Sequence, residues 1–424
     1  MAQLTDDCFA FSGPLMPIGE VERLIAARVT PLAGKQRVKL ASALGRVLAE
    51  DLVAPIDLPP FANSAVDGYA VRHADLAPGA ETRLRITDRV TAGRATNRVL
   101  TSGEAIRIFT GAPMPADADT VFMQEDVRVD GEYVTLPPGL KRGANSRSAG
   151  EDIAAGVVAL AAGRRLKAAD VALAAALGIA ALPVRPRVRV ALFSTGDEVT
   201  AAGEPLKRAR IYDSNRPLIA ALLKNLGAQV SDLGILQDKP KILRDALALA
   251  ATDHDLIVTS GGVSTGEADH VRSAVEAVGS LVFWRVAIKP GRPVAMGVIP
   301  GLGPAGSAAF VGLPGNPVAV FVTFARVVRP LLLRLAGAAA EPLTAFPVRA
   351  AFSYRKKKGR REYVRAALRT DSDGSLEAHK HPRDGAGVIS SLTETDGLAE
   401  LADDVTTVEP GAIVGFIPYS ALTG

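Results

Sequence analysis

The stretch that most constrains the fold is residues 256–270, LIVTSGGVSTGEADH. Its apolar start predicts a buried strand, and the turn that follows, Ser260-Gly261-Gly262, leaves little room for side chains. Apolar residues at helical spacing then predict a helix from Asp269 to Val278. A strand, a glycine turn and a helix point backbone N–H groups and a helix N-terminus at an anion. The sequence therefore predicts an anion site at this strand end.

Two carboxylates, Glu267 and Asp269, lie beside that turn. Carboxylates next to a phosphate site are consistent with a divalent cation that joins them. The same residues also suit a helix start, with Asp269 as the N-cap and Glu267 as a nearby charge. On this stretch alone both interpretations stay open.

Strand and helix patterns alternate from residue 188 to residue 336, which favours a parallel sheet with helices on both faces. The predicted strands are Val188–Phe193, Gln229–Leu236, Leu256–Thr259, Leu281–Ile288 and Phe310-Val311. Sheets of this kind bind ligands at the carboxyl ends of their strands. Glycine turns occur at three strand ends, at 194–198, 260–266 and 312–317. The sequence therefore predicts one ligand site along this edge.

The last of these turns introduces a helix. Asn316 suits an N-cap and Pro317 the first helical position. The helix is predicted to run toward Leu335, with a kink at Pro330.

The two ends of the chain have different patterns. Helices are predicted at Ile18–Val29, Val38–Leu48 and Leu166–Leu177, and short alternating segments between the last two predict a small β-rich domain. Short strands return after Glu341 and predict a second β-domain, a barrel or a sandwich.

Composition excludes several classes of protein. The 424 residues include 49 Lys and Arg and 45 Asp and Glu, and this excess of basic residues is too small to indicate a nucleic-acid binder. The basic run Arg355–Arg361 is interpreted as a solvated hairpin loop, because no aromatic residues interleave with it. The single cysteine, Cys8, excludes an internal disulfide framework.

Targeting and nucleotide signals are also missing from the sequence. No secretory signal precedes the fold, and no apolar run reaches the roughly 20 residues of a membrane helix. No Gly-x-Gly-x-x-Gly or P-loop pattern occurs, which argues against a typical dinucleotide fold or nucleotide triphosphatase. We expect a cytoplasmic protein that binds neither membrane nor nucleic acid.

Eight carboxylates lie in or after turns, where Asp is also common for backbone reasons. They are Asp67, Asp152, Asp197, Glu198, Asp213, Asp238, Glu267 and Asp269. Five of the eight lie at or just after the end of a predicted strand of the α/β segment, or in the loop beyond it. These five are Glu198, Asp213, Asp238, Glu267 and Asp269. Lys289 and Arg292 in the turn KPGRP are suited to phosphate or another oxyanion, although two solvated turn charges are an equal alternative.

Phrases along nearly the whole chain resemble the MoeA family, the molybdopterin molybdenumtransferases of molybdenum cofactor synthesis. They are PPFANSAVDGYAV (59–71), IFTGAPMPADADTV (108–121), GEDI (150–153), RVALFSTGDEV (189–199), IYDSN (211–215), TSGGVSTGEADH (259–270), FWRVAIKPGRP (283–293), GLPGNPVAV (312–320) and GRREYVRA (359–366). Val66, His270 and Arg285 depart from residues frequent in the family, namely Met, Tyr and Lys. Arg285 keeps the charge but not the geometry of an ammonium.

The resemblance implies four domains. An elongated, discontinuous, α-helical linker and dimerisation domain would comprise 15–56 and 150–186, with a β-rich domain inserted at 57–149. A doubly wound α/β molybdopterin-binding domain of the MoaB/Mog type would cover 187–336, and a β-barrel 337–424. Family members are homodimers, with the site in a cleft between the α/β domain and the partner's inserted domain.

The implied reaction takes adenylylated molybdopterin and molybdate, requires Mg²⁺, and releases AMP. By resemblance, the catalytic residues are Asp67, Thr110, Asp152, Glu198, Asp238, Asp269, Arg285 and Lys289, of which Asp238, Asp269 and Glu198 would hold Mg²⁺. The substrate-binding residues would be Thr195, Gly196, Asp213, Ser260, Gly261, Gly262, Ser264, Pro314, Gly315, Asn316 and Pro317. Molybdopterin adenylyltransferase would act upstream as a partner.

Four other functions remain in view. The sequence does not distinguish a molybdenum-inserting enzyme from a tungsten-inserting paralogue. Molybdopterin adenylyl transfer is disfavoured because those relatives are normally built on the α/β domain alone. A gephyrin-type scaffold would carry an additional α/β domain and a long linker, and a nucleic-acid binder would depend on the Arg355–Arg361 run alone.

Overall fold

The computed structural model describes residues 15–263, 270–301 and 306–423. The chain divides into two compact units. One consists of the residues up to Ala49, Ala162–Lys167 and the chain from Leu182 onward; the other consists of Glu50–Ala161 and Ala168–Ala181. Within the described ranges, no helix has the length and apolarity needed to cross a membrane.

Short strands dominate the first part of the chain. Its elements are α1 (Ile18–Arg28), β1 (Gln36–Lys39), β2 (Leu52–Val53), β3 (Asn63–Ser64), β4 (Gly68–Val71), β5 (Thr82–Val90), β6 (Glu104–Ile108), β7 (Thr120–Met123), β8 (Arg128–Asp130), β9 (Tyr133–Leu136), β10 (Ser146–Arg147), β11 (Val158–Leu160), α2 (Ala168–Ala176) and β12 (Ala181–Val184). The first and third predicted helices are confirmed by α1 and α2.

The predicted helix at Val38–Leu48 is wrong. Residues of this segment belong to β1 and to a 3₁₀ turn at Leu40–Ser42. β1 pairs with β12, and Val47 and Leu48 form β-bridges with Arg165 and Val184. Pairing with residues distant in sequence therefore overrides the local helical pattern.

The Glu50–Ala161 unit contains a six-stranded sheet in the order β7-β4-β6-β5-β9-β8. Neighbouring residues of β4 face opposite sides, as the two-residue period of a strand requires. Tyr69 and Val71 belong to one hydrophobic cluster, and Ala70 belongs to another with Ile106 and Ile108. The predicted β-rich domain is confirmed, with a core on each face of the sheet.

The middle of the chain alternates strands and helices. Its elements are β13 (Arg189–Thr195), β14 (Val199–Thr200), β15 (Ile211–Tyr212), α3 (Asn215–Asn225), β16 (Gln229–Leu236), α4 (Pro240–Asp253), β17 (Leu256–Ser260), α5 (His270–Val278), β18 (Ser280–Arg285), β19 (Ile288–Lys289), β20 (Pro293–Pro300), β21 (Ser307–Leu313), α6 (Pro317–Thr323) and α7 (Arg329–Leu335). A π-helical turn, Phe324–Val328, joins the last two helices. This irregularity directly precedes the first turn of α7, which holds Pro330, where the sequence predicted a kink.

These strands form a sheet in the order β16-β13-β17-β21-β20-β18. Helices cover both faces, as predicted: α1, α3, α6 and α7 contribute to one buried cluster, and α4 and α5 to the other. The sheet is parallel, as expected, except for β20, which runs antiparallel to both β21 and β18. The single predicted strand 281–288 is also two strands, since β18 ends at Arg285 and β19 pairs with a strand of the C-terminal region.

The C-terminal region forms a closed barrel. Its elements are β22 (Phe346–Ala350), β23 (Tyr354–Arg355), β24 (Arg361–Thr370), β25 (Leu376–Lys380), β26 (Gly397–Leu401), β27 (Thr407–Val408), β28 (Ile413–Pro418) and α8 (Tyr419–Thr423). The order β24-β25-β22-β28-β26 closes through pairing of β26 with β24. β19 adds to β24 in parallel, with Lys289 opposite Glu362. The barrel predicted as one of two alternatives is thus observed, and it is joined to the α/β segment.

The basic run 355–361 is not the solvated hairpin loop that was expected. β23 pairs with β27 rather than with β24. The Lys356 ammonium donates to the carbonyls of Ala402 and Val405, at 2.7 Å each, and Arg361 donates to Asp403 at 2.9 Å. These basic residues therefore hold the barrel's own loops.

Candidate functional site

The strand ends of the α/β segment bring two of the predicted turns together. The side-chain amide of Asn215 donates to Ser260 Oγ at 2.8 Å and to the Gly315 carbonyl at 2.7 Å. Ser260 Oγ in turn donates to the Pro314 carbonyl at 3.3 Å. Asn215 was not among the predicted site residues, yet this one side chain sets the spacing between the turns after β17 and β21.

The first turn requires glycine at two consecutive positions. Gly261 has φ +88° and Gly262 has φ +68°. A Cβ on Gly261 would overlap the Thr195 carbonyl oxygen, and one on Gly262 would overlap Val271. The predicted crowding of this turn is confirmed, and the Gly261 N–H donates to the Leu313 carbonyl at 3.1 Å.

We expect Gly261→Ala to lower the free energy of unfolding by about 2–4 kcal/mol, because left-handed strain and a backbone clash coincide there. Chemical denaturation measures the change. Gly315→Ala is the matched control, since a Cβ there meets nothing within 4 Å and the φ is not positive. A Gly261→Ala protein as stable as the control would contradict the packing of this turn.

Buried polar atoms without partners gather at the same edge. Ser194 and Thr195 end β13, and Thr259 precedes the last residue of β17; all three side chains are at most 2% exposed. Their hydroxyls, with Asn215 Oδ1 and Asp238 Oδ1, lack hydrogen-bond partners among the residues that the structure describes. Since buried polar groups are ordinarily paired, this edge is a candidate surface for a polar ligand.

Carboxylates surround the loop after β16. Burial raises the pKa of Asp238, and the nearby charges of Asp197 and Glu198 add to the rise against the opposing effect of His270. The Glu198 carboxylate folds back over Gly196, with one oxygen 2.7 Å from where a Cβ would stand. The sequence prediction that Asp238 and Glu198 act in one neighbourhood therefore agrees with the electrostatics.

The other residues predicted for this edge differ in their burial and in their hydrogen-bond partners. Both oxygens of the buried Asp213 accept hydrogen bonds from Arg216, at 3.1 and 3.0 Å, so the structure gives Asp213 a local partner. Arg285 is half-buried at the end of β18, and its carbonyl accepts from the Met16 N–H. Ser264, Glu267 and Asp269 lie outside the described residues. In the described part of the chain, no three His, Cys, Asp or Glu side chains form a metal-binding group.

A cavity of about 350 Å³ opens where β19 meets the barrel. Pro314, Asn316 and the KPGRP turn belong to its lining. The charged and phenolic side chains of the lining are Lys289, Arg292, Tyr354, Arg360, Tyr363, Arg365 and Asp384. We call this space the oxyanion cavity, because four of these seven side chains are cationic.

Glu362 holds two of those cations in place. This carboxylate is 1% exposed and accepts from Arg360 Nε at 2.7 Å and the Tyr354 hydroxyl at 2.8 Å. The Lys289 ammonium lies 3.2 Å from it and 3.1 Å from the Tyr354 oxygen. Burial opposes the charge on Lys289, but the hydrogen bonds with Tyr354 and Glu362 prevail and raise its pKa. Glu362 was not singled out from the sequence; its signal is a lone acid within the basic phrase GRREYVRA.

The Glu50–Ala161 unit brings together two of its three predicted residues. The backbone N–H and the hydroxyl of Thr110 both donate to Asp67 Oδ1, at 2.8 Å each. These hydrogen bonds, with a smaller effect of Arg107, lower the pKa of Asp67. Asp152 is exposed, and its backbone N–H donates to the Leu58 carbonyl at 3.0 Å. Thr110 thus fixes the ionised carboxylate of Asp67 on this unit.

Comparison with protein families covers most of the chain. Residues 16–178 match the MoeA N-terminal region (domain I and II), and residues 347–419 match the MoeA C-terminal region (domain IV). Between them, residues 191–334 match a probable molybdopterin binding domain. The chain belongs to the MoeA family.

Curated MoeA relatives are similar over almost their whole length. The molybdopterin molybdenumtransferase of Haemophilus influenzae is 36% identical, over 91% of this chain and 94% of that protein. The enzyme of the same name from a Nostoc species is 35% identical, over 94% and 92%. A solved structure, the molybdopterin biosynthesis moeA protein from Pyrococcus horikoshii OT3, has TM-score 0.80 at 27% identity and covers 96% of this chain and all of that one. The chain is therefore a MoeA-family transferase of molybdenum cofactor biosynthesis.

Proposed function

We propose that this protein inserts molybdenum from molybdate into adenylylated molybdopterin, with Mg²⁺-dependent release of AMP, to give molybdenum cofactor. The observation that carries the proposal is the charge of the oxyanion cavity. Four basic side chains line it, against the carboxylates of Asp384 and the adjoining Glu362, which leaves two positive charges. Molybdate carries two negative charges, and cationic side chains fixed in a partly buried site stabilise such an anion.

The neighbouring strand ends supply the second binding surface. The Gly261-Gly262 turn suits the phosphate of a pterin substrate. The hydroxyls of Ser194, Thr195 and Thr259, which have no partner among the described residues, suit its polar groups. Pro314 and Asn316 belong to the oxyanion cavity, while Gly315 is hydrogen-bonded to Asn215. The turn 314–316 therefore links the two surfaces, which favours simultaneous binding of the pterin substrate and the oxyanion.

The carboxylates fit a Mg²⁺ ion. Asp238 has a buried oxygen with no partner among the described residues, and burial, together with the negative charges of Asp197 and Glu198, raises its pKa; a bound cation would offset these effects. Asp238, Glu198 and Asp269 would hold the ion, which when bound would neutralise phosphate charge on the adenylate. Each of these groups must be ionised to serve as a ligand.

The chain's own residues then act by binding and orientation. Lys289 and Arg360, fixed by Glu362, hold the oxyanion, and the glycine turns hold the substrate phosphate. No protein nucleophile is required. Water that attacks the adenylate phosphorus breaks the bond to the molybdopterin phosphate oxygen, so AMP forms and molybdopterin keeps its own phosphate; attack by an oxyanion oxygen would instead form an adenylyl–oxyanion anhydride, which water then hydrolyses to AMP. Arg285 would contribute positive charge nearby, and Pro317 would stiffen the start of α6.

The proposal includes a homodimer with a shared site. Asp67, Thr110 and Asp152 would reach the α/β domain of the partner chain, and the four domains would have the boundaries given above. Molybdopterin adenylyltransferase would deliver the substrate in the cytoplasm. Three curated relatives are named molybdopterin molybdenumtransferase, which supports this position in the pathway.

AMP release from adenylylated molybdopterin tests the function directly. With Mg²⁺ present, we expect release that saturates with molybdate and stops when Mg²⁺ is chelated. Release that prefers tungstate would keep the chemistry and make the protein a tungsten-inserting enzyme. A folded protein that releases no AMP with either oxyanion would overturn the proposal and favour a binding function.

A further inference from the structure

A buried arginine of the barrel organises a segment beside the oxyanion cavity. Arg365 of β24 is 5% exposed. Its Nη2 donates to the carbonyls of Arg383 and Gly385, at 2.7 and 3.2 Å, and its Nη1 to that of Asp384 at 3.4 Å. Its Nε donates to Ser391 Oγ at 3.0 Å. One guanidinium thus takes four acceptors from residues 383–391, which we call the strap.

The strap also contacts the first turn of α6. The Val318 N–H donates to the Ala386 carbonyl at 3.0 Å. Asn316, the N-cap predicted from the sequence, makes no side-chain capping hydrogen bond. The barrel therefore supplies the acceptor that a helix start otherwise takes from its own cap.

The position of the strap bears on the cavity itself. Asp384 and Ala386 line the cavity together with the KPGRP turn that carries Lys289. Movement of the strap would change both the size of the cavity and its charge.

The chemistry of Arg365 indicates a positional role. Burial lowers its pKa, and within the described residues no carboxylate forms an ion pair with it. The Asp384 carboxylate pairs with Lys380 instead. Burying a cation that contacts only neutral acceptors lowers the stability of the barrel relative to an apolar side chain of similar size. The five-donor fork of Arg is, however, well suited to fixing several carbonyls at once.

We propose that Arg365 is a positioning residue, which holds the strap against α6 so that the barrel forms a wall of the oxyanion cavity. The part that concerns molybdate rests on the proposed function. Without the guanidinium, the Ala386–Val318 hydrogen bond should open often, and the cavity should bind its anion more weakly. The glycine turns and Asp238 lie on the α/β sheet, so turnover of bound substrate should change little.

The test compares Arg365→Met and Arg365→Lys with Arg369→Met, an exposed position on the same strand. Hydrogen exchange at the Val318 amide and molybdate-dependent AMP release are measured in the full-length protein. In Arg365→Met we expect Val318 to exchange about 10-fold faster and the KM for molybdate to rise about 10-fold, with kcat within about 3-fold, as the loss of one to two net hydrogen bonds implies. Arg365→Lys should recover part of both effects, and Arg369→Met should match the wild type.

The two measurements separate the possible failures. Unchanged exchange at Val318 in Arg365→Met would overturn the positioning role, whatever the activity. Faster exchange with an unchanged molybdate KM would show that the strap is no wall of the binding site. If the wild type released no AMP, the proposed function would fail while the exchange result still decided the role of Arg365. If Arg365→Met does not fold, Arg365→Lys carries the same two measurements.

Discussion

Replacement of Lys289 by Met is expected to lower kcat/KM for molybdate by about 100-fold, the effect of about 2.7 kcal/mol in transition-state binding. The ammonium lies 3.2 Å from Glu362, whose carboxylate is 1% exposed. Without Lys289, the positive charge of the cavity falls from two to one, and Glu362 repels the entering oxyanion with only Arg360 and Tyr354 to balance it. Molybdate titration of AMP release measures the loss.

A double variant distinguishes binding from folding. Lys289→Met alone also removes one partner of a buried carboxylate and should destabilise the barrel. Lys289→Met combined with Glu362→Gln removes that unpaired charge, so stability should recover while molybdate binding stays weak. Full activity in either variant would remove Lys289 from the binding site. The side chain of Lys289 is 48% exposed, so its effect on stability should be smaller than its effect on binding.

Asp238→Asn is expected to lower Mg²⁺-dependent AMP release by about 1,000-fold, because an amide is a far weaker ligand for Mg²⁺ than a carboxylate. In the absence of metal, the same variant should be as stable as the wild type or more so. The raised pKa of Asp238 means that the fold favours its protonated form, so the charged form is destabilising at neutral pH. Mg²⁺ titration of AMP release and thermal unfolding in chelator measure the two effects.

The raised pKa of Asp238 also predicts how Mg²⁺ affinity depends on pH. Metal binding needs the ionised carboxyl, so wild-type affinity for Mg²⁺ should fall as pH drops through a pKa above the usual Asp value of about 3.9. Asp238→Asn should lose the part of this dependence that Asp238 contributes, while the other carboxylate ligands keep theirs. Asp245→Asn, on the exposed side of α4 beside Arg244, is the control and should behave as wild type. Full Mg²⁺-dependent activity in Asp238→Asn would refute the metal assignment.

Local patterns predicted much of the fold. Apolar periodicity located α1, α2 and the strands and helices of the α/β segment, and the crowded Gly261-Gly262 turn was evident from its residues. Such features depend on neighbours within a few positions, where side-chain period and backbone φ act directly. The prediction for Val38–Leu48 failed because β1 pairs with β12, a contact that no local period encodes.

The direction of a strand is likewise decided at long range. β20 has the residues of a buried strand and was missed among the Gly and Pro around it. Its antiparallel course follows from pairing with β18 and β21, neither of which specifies direction by its own pattern. The carboxylates Asp238 and Glu198 were predicted to lie at one edge because strand ends of one sheet share an edge, a rule that holds without knowledge of the full topology.

Taken alone, the sequence determined the family, the alternation of the α/β segment, the glycine turns and the acidic residues beside them. Only the tertiary structure showed that Lys289 meets Glu362, that Asn215 joins two turns, and that Arg365 holds the strap over the start of α6. Strand ends, turns and caps are set by residues close together in the chain. The oxyanion cavity instead joins 289–293 to 354–386, and a charge acquires its partner there only when β19 adds to the barrel.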